Sequence, residues 1–270
     1  MSIRTDLISE VTADIKQIPD GCIIENYQKD DISFEFTEIT SDKVSEMLSK
    51  PKGKYITLKF DRLDRIADTD SIINVLSHSF DRLFEKKPRN ITIVGLGNQD
   101  ITPDALGPIC ANSILATRHL SEEFKKNTGL SSLGSVSVIT PGVMGKTGIE
   151  TRESVKATVD FIRPDAVIII DALAAGDYER LCSTFQLTDT GISPGSGVKN
   201  SRKAFNKEWL SVPVVAVGMP TVIDFGSSDE MMVTPKDIDL LIDRAAELLS
   251  LAINKFLHPD LDSKTLSALT

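Results

Sequence analysis

Two aspartates stand out because each follows a predicted strand and lies among small or conformationally restricted residues. Asp104 is part of Thr102-Pro-Asp-Ala-Leu-Gly-Pro108, and Asp171 is part of Ile170-Asp-Ala-Leu-Ala-Ala175. Like-charge repulsion between two carboxylates at one site raises the pKa of one of them. The ionised member can then act as a general base on a water while the protonated member polarises a carbonyl. A structural role stays open, since an aspartate at a strand end often caps the next helix.

The elements around these aspartates predict an α/β fold with three layers, α/β/α, and a mainly parallel central sheet. Apolar strands alternate with helical patterns: strands at 91–95, 135–139, 166–170 and 213–217, and helices at 68–86, 110–124, 150–162 and from Thr234-Pro235 to about 256. Such alternation is typical of parallel strands joined by helices. Both aspartates then lie at carboxyl ends of strands, where open α/β sheets place their ligands.

The whole chain, 1–270, is expected to form a single α/β domain. Alternating apolar residues between 22 and 60 predict a small additional β-rich N-terminal part. Residues 1–20 have mixed charges and end in the turn signal Pro19-Asp-Gly21, which predicts a mobile or loosely docked N-terminal arm or a short prosegment.

Composition excludes several classes of protein. Hydrophobic residues make up 41% and charged residues 26% of the chain, which are ordinary globular values. The net charge of -9 disfavours direct nucleic-acid binding, because there is no basic surplus to neutralise phosphates. No apolar run approaches the ~20 residues that a membrane span needs. Three scattered cysteines predict free thiols, and we expect a cytoplasmic protein.

Several motifs for other chemistries are incomplete. The Gly95-x-Gly97 turn lacks the third glycine of a dinucleotide fingerprint, because the required position is Asp100. Gly145-Lys-Thr147 lacks the first glycine of a P-loop, because that position is Thr140. No Gly-x-Ser-x-Gly elbow is present. We therefore predict no cofactor.

Metal binding remains an alternative, although no metal is our first prediction. The three histidines form no His-x-x-x-His pair, which argues against a zincin. In the alternative, Asp104, Asp171 and His119, on the helix predicted at 110–124, hold an ion.

Backbone N–H groups in loops near the aspartates are candidates for binding substrate or stabilising an oxyanion. The candidate residues in these loops are Gly97, Asn98, Gly142, Gly145, Thr147, Gly148, Gly195 and Gly197.

Many strings, taken in order, resemble the germination protease family of spore-forming bacteria. They are Arg4-Thr-Asp-Leu7, Gly95-Leu-Gly-Asn98, Thr102-Pro-Asp-Ala-Leu-Gly-Pro108, Pro141-Gly-Val-Met-Gly145, Thr147-Gly-Ile-Glu-Thr151, Ile170-Asp-Ala-Leu-Ala-Ala175, Thr188-Asp-Thr-Gly-Ile192, Pro194-Gly-Ser-Gly-Val198 and Pro220-Thr-Val222. The resemblance implies an atypical aspartic endopeptidase, related in fold to hydrogenase maturation peptidases, that degrades small acid-soluble spore proteins during germination.

The resemblance also assigns roles to individual residues. It implies that Asp104 and Asp171 are the essential aspartates, and that a zymogen is processed between Asp6 and Leu7. It implies a homotetramer or another homo-oligomer in the cytoplasm of the spore core. Only six residues precede Leu7, and the segment 224–233 is shorter than in longer family members, so latency and assembly are where this chain departs from the family pattern. The other functional classes left open are a metal-dependent peptidase and a catalytically silent protein-binding homologue.

Overall fold

The computed structural model describes residues 5–13, 15–29, 31–66, 68–194, 203–224, 232–261 and 266. Within these ranges the strands are β1 Cys22–Lys29, β2 Ile32–Ile39, β3 Gly53–Lys59, β4 Asn90–Gly95, β5 Ser135–Ile139, β6 Ala166–Ala175, β7 Thr184–Thr188, β8 Val214–Asp224 and β9 Met232–Val233. The α-helices are α1 Ile8–Thr12, α2 Asp42–Leu48, α3 Thr69–Leu83, α4 Leu106–Asn112, α5 Glu122–Asn127, α6 Met144–Thr147, α7 Thr151–Ile162, α8 Lys207–Leu210 and α9 Ile238–Leu257. Short 3-10 turns lie at Leu63–Arg65, Thr102–Asp104 and Tyr178–Arg180.

All described strands join one sheet in the order β1-β2-β3-β7-β8-β6-β4-β5, with β9 paired to β8. The β8-β6-β4-β5 section is parallel, and the remaining pairs are antiparallel. The predicted α/β class is confirmed, and the β-rich N-terminal part extends the same sheet. Because β7 is antiparallel to both β3 and β8, strands β3, β8, β6, β4 and β5 all end at one edge, which we call the carboxyl edge.

Helices cover both faces of the sheet, so β6 is buried on both sides. Ile168 and Ile170 belong to a core shared with α3, α4 and α9. Val167 and Ile169 belong to a second core shared with α7 and α8. This two-sided burial explains why the strand is continuously apolar in sequence.

The helix predicted at 110–124 is wrong in its extent. The chain leaves α4 at Asn112, and the N–H groups of Thr117 and Arg118 both donate to the Val136 carbonyl at the start of β5. A new helix, α5, starts after Ser121, whose hydroxyl accepts from the Phe124 N–H. The prediction was wrong because the apolar residues after Asn112 have helical spacing but pack against the rest of the fold from a non-helical segment.

The start predicted for the last helix is also wrong. α9 begins at Ile238 after Asp237, and Thr234 does not cap it. The Thr234 hydroxyl instead donates to the Thr221 carbonyl at 2.9 Å. Because its hydroxyl is hydrogen-bonded to Thr221, the Thr234 side chain does not cap the start of α9.

Residues 5–12 are docked on the domain, whereas the sequence pattern predicts a mobile or loosely docked arm. Leu7 and Ile8 are fully buried. The Asp6 N–H donates to the Ala174 carbonyl at 2.9 Å, and the Asp6 carboxylate accepts from the Ala174 N–H at 2.8 Å. Lys50 Nζ donates to the carbonyls of Thr5 and Asp6 at 3.1 and 2.9 Å. Burial lowers the pKa of Lys50, and the negative charges of Asp6 and Glu10 oppose that shift.

Among the described helices, none combines the length and the apolar character needed to cross a bilayer.

Glycines allow α4 to start directly against the ends of β4 and β6. A Cβ on Gly107 would lie 2.1 Å from the Leu96 carbonyl oxygen and 2.6 Å from the Ile170 oxygen. A Cβ on Gly95 would lie 2.3 Å from the Gly107 oxygen. The backbones therefore approach more closely than any side chain permits.

His258 ends α9 in a buried position. It is 2% exposed, and neither ring nitrogen meets hydrogen-bond geometry with a described residue. Burial lowers the pKa of His258, and the positive charges of Lys87 and Lys125 lower it further, while the Leu115 backbone partly opposes them. The neutral imidazole is therefore the form that the folded protein favours.

We predict that Gly107→Ala destabilises the domain by about 2 kcal/mol. The substitution gains up to about 1 kcal/mol of helix propensity, and the clash with two backbone oxygens costs up to about 3 kcal/mol. Gly145→Ala is the matched control, because Gly145 is also helical and a Cβ there meets nothing within 4 Å. Urea unfolding of both variants measures the difference, and equal stability would contradict the close-packing argument.

We predict that His258 makes the protein less stable as pH falls below about 6.5. The folded pKa lies below the unfolded value of about 6.5, so the unfolded state binds the proton first and stability is lost as pH falls from 6.5 through the folded pKa. His258→Leu should flatten the decline in the free energy of unfolding between pH 7 and pH 5. His119→Leu, at an exposed position, should leave the decline unchanged. Parallel pH profiles for wild type and His258→Leu would refute the prediction.

Candidate active site

Asp104 lies at the end of the 3-10 turn Thr102–Asp104, which joins the loop after β4 to α4. Its carboxylate accepts from the Asn98 N–H at 2.8 Å, and its own N–H donates to the Ile101 carbonyl at 2.8 Å. Gly97 has φ of 118°, and a Cβ there would lie 2.0 Å from the Asp104 carbonyl oxygen. Glycine at 97 therefore lets the loop fold back onto the backbone of Asp104, and the half-buried carboxylate is held by a neighbouring N–H.

Asp171 lies inside β6, one residue beyond the predicted strand end, because β6 continues to Ala175. It pairs with Gly218 of β8, where a Cβ would lie 2.3 Å from the Asp171 carbonyl oxygen. The side chain is 6% exposed, and its carboxylate accepts from the Ala172 N–H at 3.0 Å. Pairing with the next strand and a local hydrogen bond thus fix this carboxylate.

Neighbouring parallel strands bring both aspartates to the carboxyl edge. Gly95 of β4 lies level with Ile170 of β6, and the Leu96 N–H donates to the Ile170 carbonyl at 2.8 Å. Asp171 is the next residue of β6, while the loop that starts at Leu96 returns to Asp104 through the Asn98 hydrogen bond. The sequence pattern predicted both aspartates at carboxyl ends of strands. Asp171 instead lies within β6, four residues before its end at Ala175, and Asp104 lies in a 3-10 turn nine residues after the end of β4.

Two threonines support the Asp104 turn, Thr221 of β8 and Thr234 just after β9, and the sequence pattern missed their role. The Thr221 hydroxyl donates to the Pro103 carbonyl at 2.7 Å. The Thr234 hydroxyl donates in turn to the Thr221 carbonyl. The string Pro220-Thr-Val222 is the only sequence signal at this position, since the strand predicted here ends at Val217.

The loop 141–148 follows β5 at the same edge and contains four of the predicted backbone donors. They are Gly142, Gly145, Thr147 and Gly148. The Gly142 carbonyl accepts from the Thr151 hydroxyl at 2.9 Å, and Gly148 ends α6 in a left-handed conformation. An ion pair between Lys146 and Asp100 links this loop to the loop that holds Asp104.

The other predicted donors lie elsewhere. Gly97 and Asn98 lie beside Asp104, where the Asn98 N–H is already used by the Asp104 carboxylate. Gly195 and Gly197 lie outside the described residues.

His119, the third ligand of the metal alternative, does not lie near the aspartates. It is exposed in the segment between α4 and α5, next to the hydrogen bonds that join Thr117 and Arg118 to the start of β5. That strand start lies at the edge opposite the carboxyl edge, because β5 runs parallel to β4 and ends at the carboxyl edge. Across the described part of the chain, no three histidine, cysteine, aspartate or glutamate side chains cluster as a metal site.

The predicted processing bond, between Asp6 and Leu7, lies against the same strand as Asp171. Asp6 is bonded to Ala174, three residues farther along β6, which is about 10 Å at the usual strand rise. The Asp6 carbonyl accepts from Lys50 Nζ and from Gln186 Nε2, both at 2.9 Å. Leu7 is fully buried in a cluster with Leu173 of β6.

The three cysteines, Cys22, Cys110 and Cys182, are free and buried. Burial raises the pKa of the Cys182 thiol to about 12 and also raises that of Cys110. Raised thiol pKa values leave little thiolate, so the structure offers no activated nucleophile at these positions.

Among solved structures, the chain is similar to a [NiFe] hydrogenase maturation protease, HycI, from Thermococcus kodakarensis KOD1. The sequence identity is 20% and the TM-score is 0.40, over 65% of this chain and 98% of that one.

Sequence comparisons identify much nearer relatives. The germination protease of Caldanaerobacter subterraneus subsp. tengcongensis is 37% identical, with 100% of this chain and 98% of that protein aligned. The germination protease of Bacillus cereus strain AH187 is 39% identical over 89% of this chain and 67% of that protein. The germination protease family model matches residues 5–229. The chain therefore belongs to the germination protease family.

Proposed function

We propose that this chain is an aspartic endopeptidase that degrades small acid-soluble spore proteins during germination. The observation that supports it most is the placement of Asp171 on β6 and of Asp104 in the turn that follows β4, the neighbouring parallel strand, in a chain of the germination protease family. Open α/β sheets bind their ligands at the carboxyl edge. We propose that the protein acts without a cofactor, in the cytoplasm of the spore core, and assembles as a homotetramer or another homo-oligomer.

In the proposed mechanism, Asp104 and Asp171 share one proton between them. The ionised carboxylate removes a proton from a water, and the water oxygen bonds to the carbonyl carbon of the peptide. The protonated carboxyl gives its proton to the carbonyl oxygen, so a neutral tetrahedral intermediate forms. As the C–N bond breaks, the aspartate that took the water proton gives it to the leaving nitrogen. One hydroxyl of the intermediate gives its proton to the other aspartate, which restores the shared proton.

Fixed carboxylates favour this chemistry because little reorganisation is needed when the water attacks. The Asn98 and Ala172 N–H groups orient the two carboxylates. We propose that backbone N–H groups of the loop 141–148, held beside the Asp104 loop by the Lys146–Asp100 ion pair, bind the substrate backbone or the developing oxyanion.

We also propose that the protein is made as a zymogen and is processed between Asp6 and Leu7. Because Asp6 and Leu7 are docked about 10 Å along β6 from Asp171, the segment must leave its docked position before an active site can cleave this bond. Docking of residues 5–8 therefore controls how readily this processing occurs.

We predict that Asp104→Asn and Asp171→Asn each lower the rate of spore-protein cleavage by roughly 10³-fold, because an amide can neither accept nor give the catalytic proton. Gel and mass-spectrometric analysis of a purified small acid-soluble spore protein after incubation measures the rate. Asp81→Asn, at an exposed position on α3, is the control and should cleave at the wild-type rate. A folded Asp104→Asn or Asp171→Asn protein with wild-type activity would refute the mechanism.

The same assay separates the other functional classes. Wild-type activity should survive exhaustive chelation, and loss of activity that returns with added metal would instead identify a metal-dependent peptidase. A wild-type protein that binds the spore protein without cleaving it would identify a silent binding homologue.

We predict that Lys50→Met accelerates processing of the Asp6–Leu7 bond by roughly 100-fold, because the two lost hydrogen bonds together stabilise the docked segment by about 3 kcal/mol. The substitution removes charged hydrogen bonds to the Thr5 and Asp6 carbonyls, each worth about 1.5 kcal/mol or more, so the segment undocks more often. Intact-mass measurements over time follow the processing. Lys52→Met, which breaks only an exposed pair with Asp42, is the control. Slower processing in Lys50→Met would show that the docked conformation is the one that is cleaved.

A further inference from the structure

A pocket of about 490 Å³ opens at the carboxyl edge beside the end of β3, three strands along the sheet from β6 and Asp171. It lies between the end of β3, at Lys59, and the 3-10 turn Tyr178–Arg180 that follows β6. Its volume is within the range of ordinary ligand sites. We call it the edge pocket.

The edge pocket is joined to the Asp104 turn by contacts already described. Pro235 lines the pocket, and its neighbour Thr234 is bonded to Thr221, which is bonded to Pro103. Leu181, another lining residue, packs with Leu173 of β6, two residues beyond Asp171. An extended polypeptide that is bound at the aspartates and runs along the carboxyl edge to β3 crosses three strand spacings, about 14 Å, and can place a side chain a few residues away in this pocket.

The pocket has an apolar floor and a charged rim. Phe60, Leu181 and Leu241 line it and are buried, which makes them the floor. Tyr178 is 66% exposed, and Asp31 and Glu179 are also exposed, which places them at the rim. Such a lining suits a side chain with a long apolar stem and a polar head.

The charges of the pocket favour a cation. Lys59 lies 3.6 Å from Glu179, and Arg62 is paired with both Asp64 and Asp237, so both cations of the lining already have carboxylate partners. The hydrogen bonds and charges of Asp64 and Asp237 raise the pKa of Arg62, so its guanidinium stays protonated and its positive charge is balanced by these two carboxylates.

The lining carries three carboxylates, Asp31, Asp61 and Glu179, against two cations, Lys59 and Arg62. Arg65 reaches Asp61 only at 4.0 Å, between two largely exposed side chains. An exposed pair at that distance compensates little of the charge.

We propose that the edge pocket binds a lysine or arginine side chain of the polypeptide substrate, with the stem on the apolar floor and the cationic head between Tyr178, Glu179 and Asp31. An exposed tyrosine ring adds cation–π attraction for such a head. The proposal rests on the proposed peptidase function and assigns a specificity site to it.

The first test measures binding directly and does not depend on activity. N-acetylarginine amide is titrated into the protein, with the neutral citrulline analogue as the matched ligand, while amide NMR shifts of Ser33 and Ser183 in the lining are recorded. The arginine compound should shift both amides, and the citrulline compound should not. The double variant Asp31→Asn/Glu179→Gln should lose the response. Equal responses to both ligands, or none, would overturn the proposal.

The second test measures cleavage of the spore protein by the same double variant. We expect KM to rise roughly fivefold with kcat unchanged, because the rim charges bind ground state and transition state alike. The rise should vanish at about 1 M salt, where screening is nearly complete. The control double variant Glu46→Gln/Glu123→Gln removes two exposed carboxylates at the opposite edge and should behave as wild type.

The two tests separate the possible failures. Arginine binding without any change in KM would overturn the assignment as a substrate site. A wild-type protein that cleaves nothing would refute the proposed function, while the binding titration would still decide whether the pocket takes a basic side chain.

Discussion

The arrangement at the carboxyl edge depends on close contact between the backbone of α4 and the backbones at the ends of β4 and β6. β4 ends at Gly95, and the next N–H, of Leu96, still bonds to Ile170, so the two strands separate only at the residue before Asp171. α4 can begin at this point because Gly107 has no side chain to strike the Leu96 and Ile170 oxygens. A larger residue there would force apart the strand ends on which both aspartates are placed.

The same constraint explains why Gly95-x-Gly97 resembles part of a dinucleotide fingerprint without completing it. A Gly-x-Gly turn after a strand resembles a phosphate cradle, yet Gly97 is required because the Asp104 backbone lies where its Cβ would be. Gly218 serves Asp171 in the same way from β8. Close packing and ligand binding both select glycine, and the sequence alone does not separate them.

The sequence predicted strands and helices well where the spacing of apolar residues reflects which face of that element is buried. The apolar run of β6 and the amphipathic spacing of α3 each reflect packing that is local to one element, and both were located within a few residues. The patterns failed where a distant partner decides the structure, as at His119, whose segment bonds to β5, and at Thr234, whose hydroxyl bonds to β8. The edge pocket had no sequence signal, because its lining comes from β2, β3, the segment after β6 and α9.

Strand β6 extends beyond its pairing with β4, so among the described strands its last residues are paired on the β8 side only, and they are contacted by the N-terminal segment. β8 accompanies β6 to Ala175, whereas the described pairing with β4 stops at Ile170. Asp6 takes both backbone groups of Ala174, one with its N–H and one with its carboxylate. Residues 5–7 thus act as an edge guard, of the kind that keeps an unpaired strand from recruiting a foreign chain. Whatever removes them uncovers backbone of β6 that can pair with an extended peptide, three residues along the strand from Asp171.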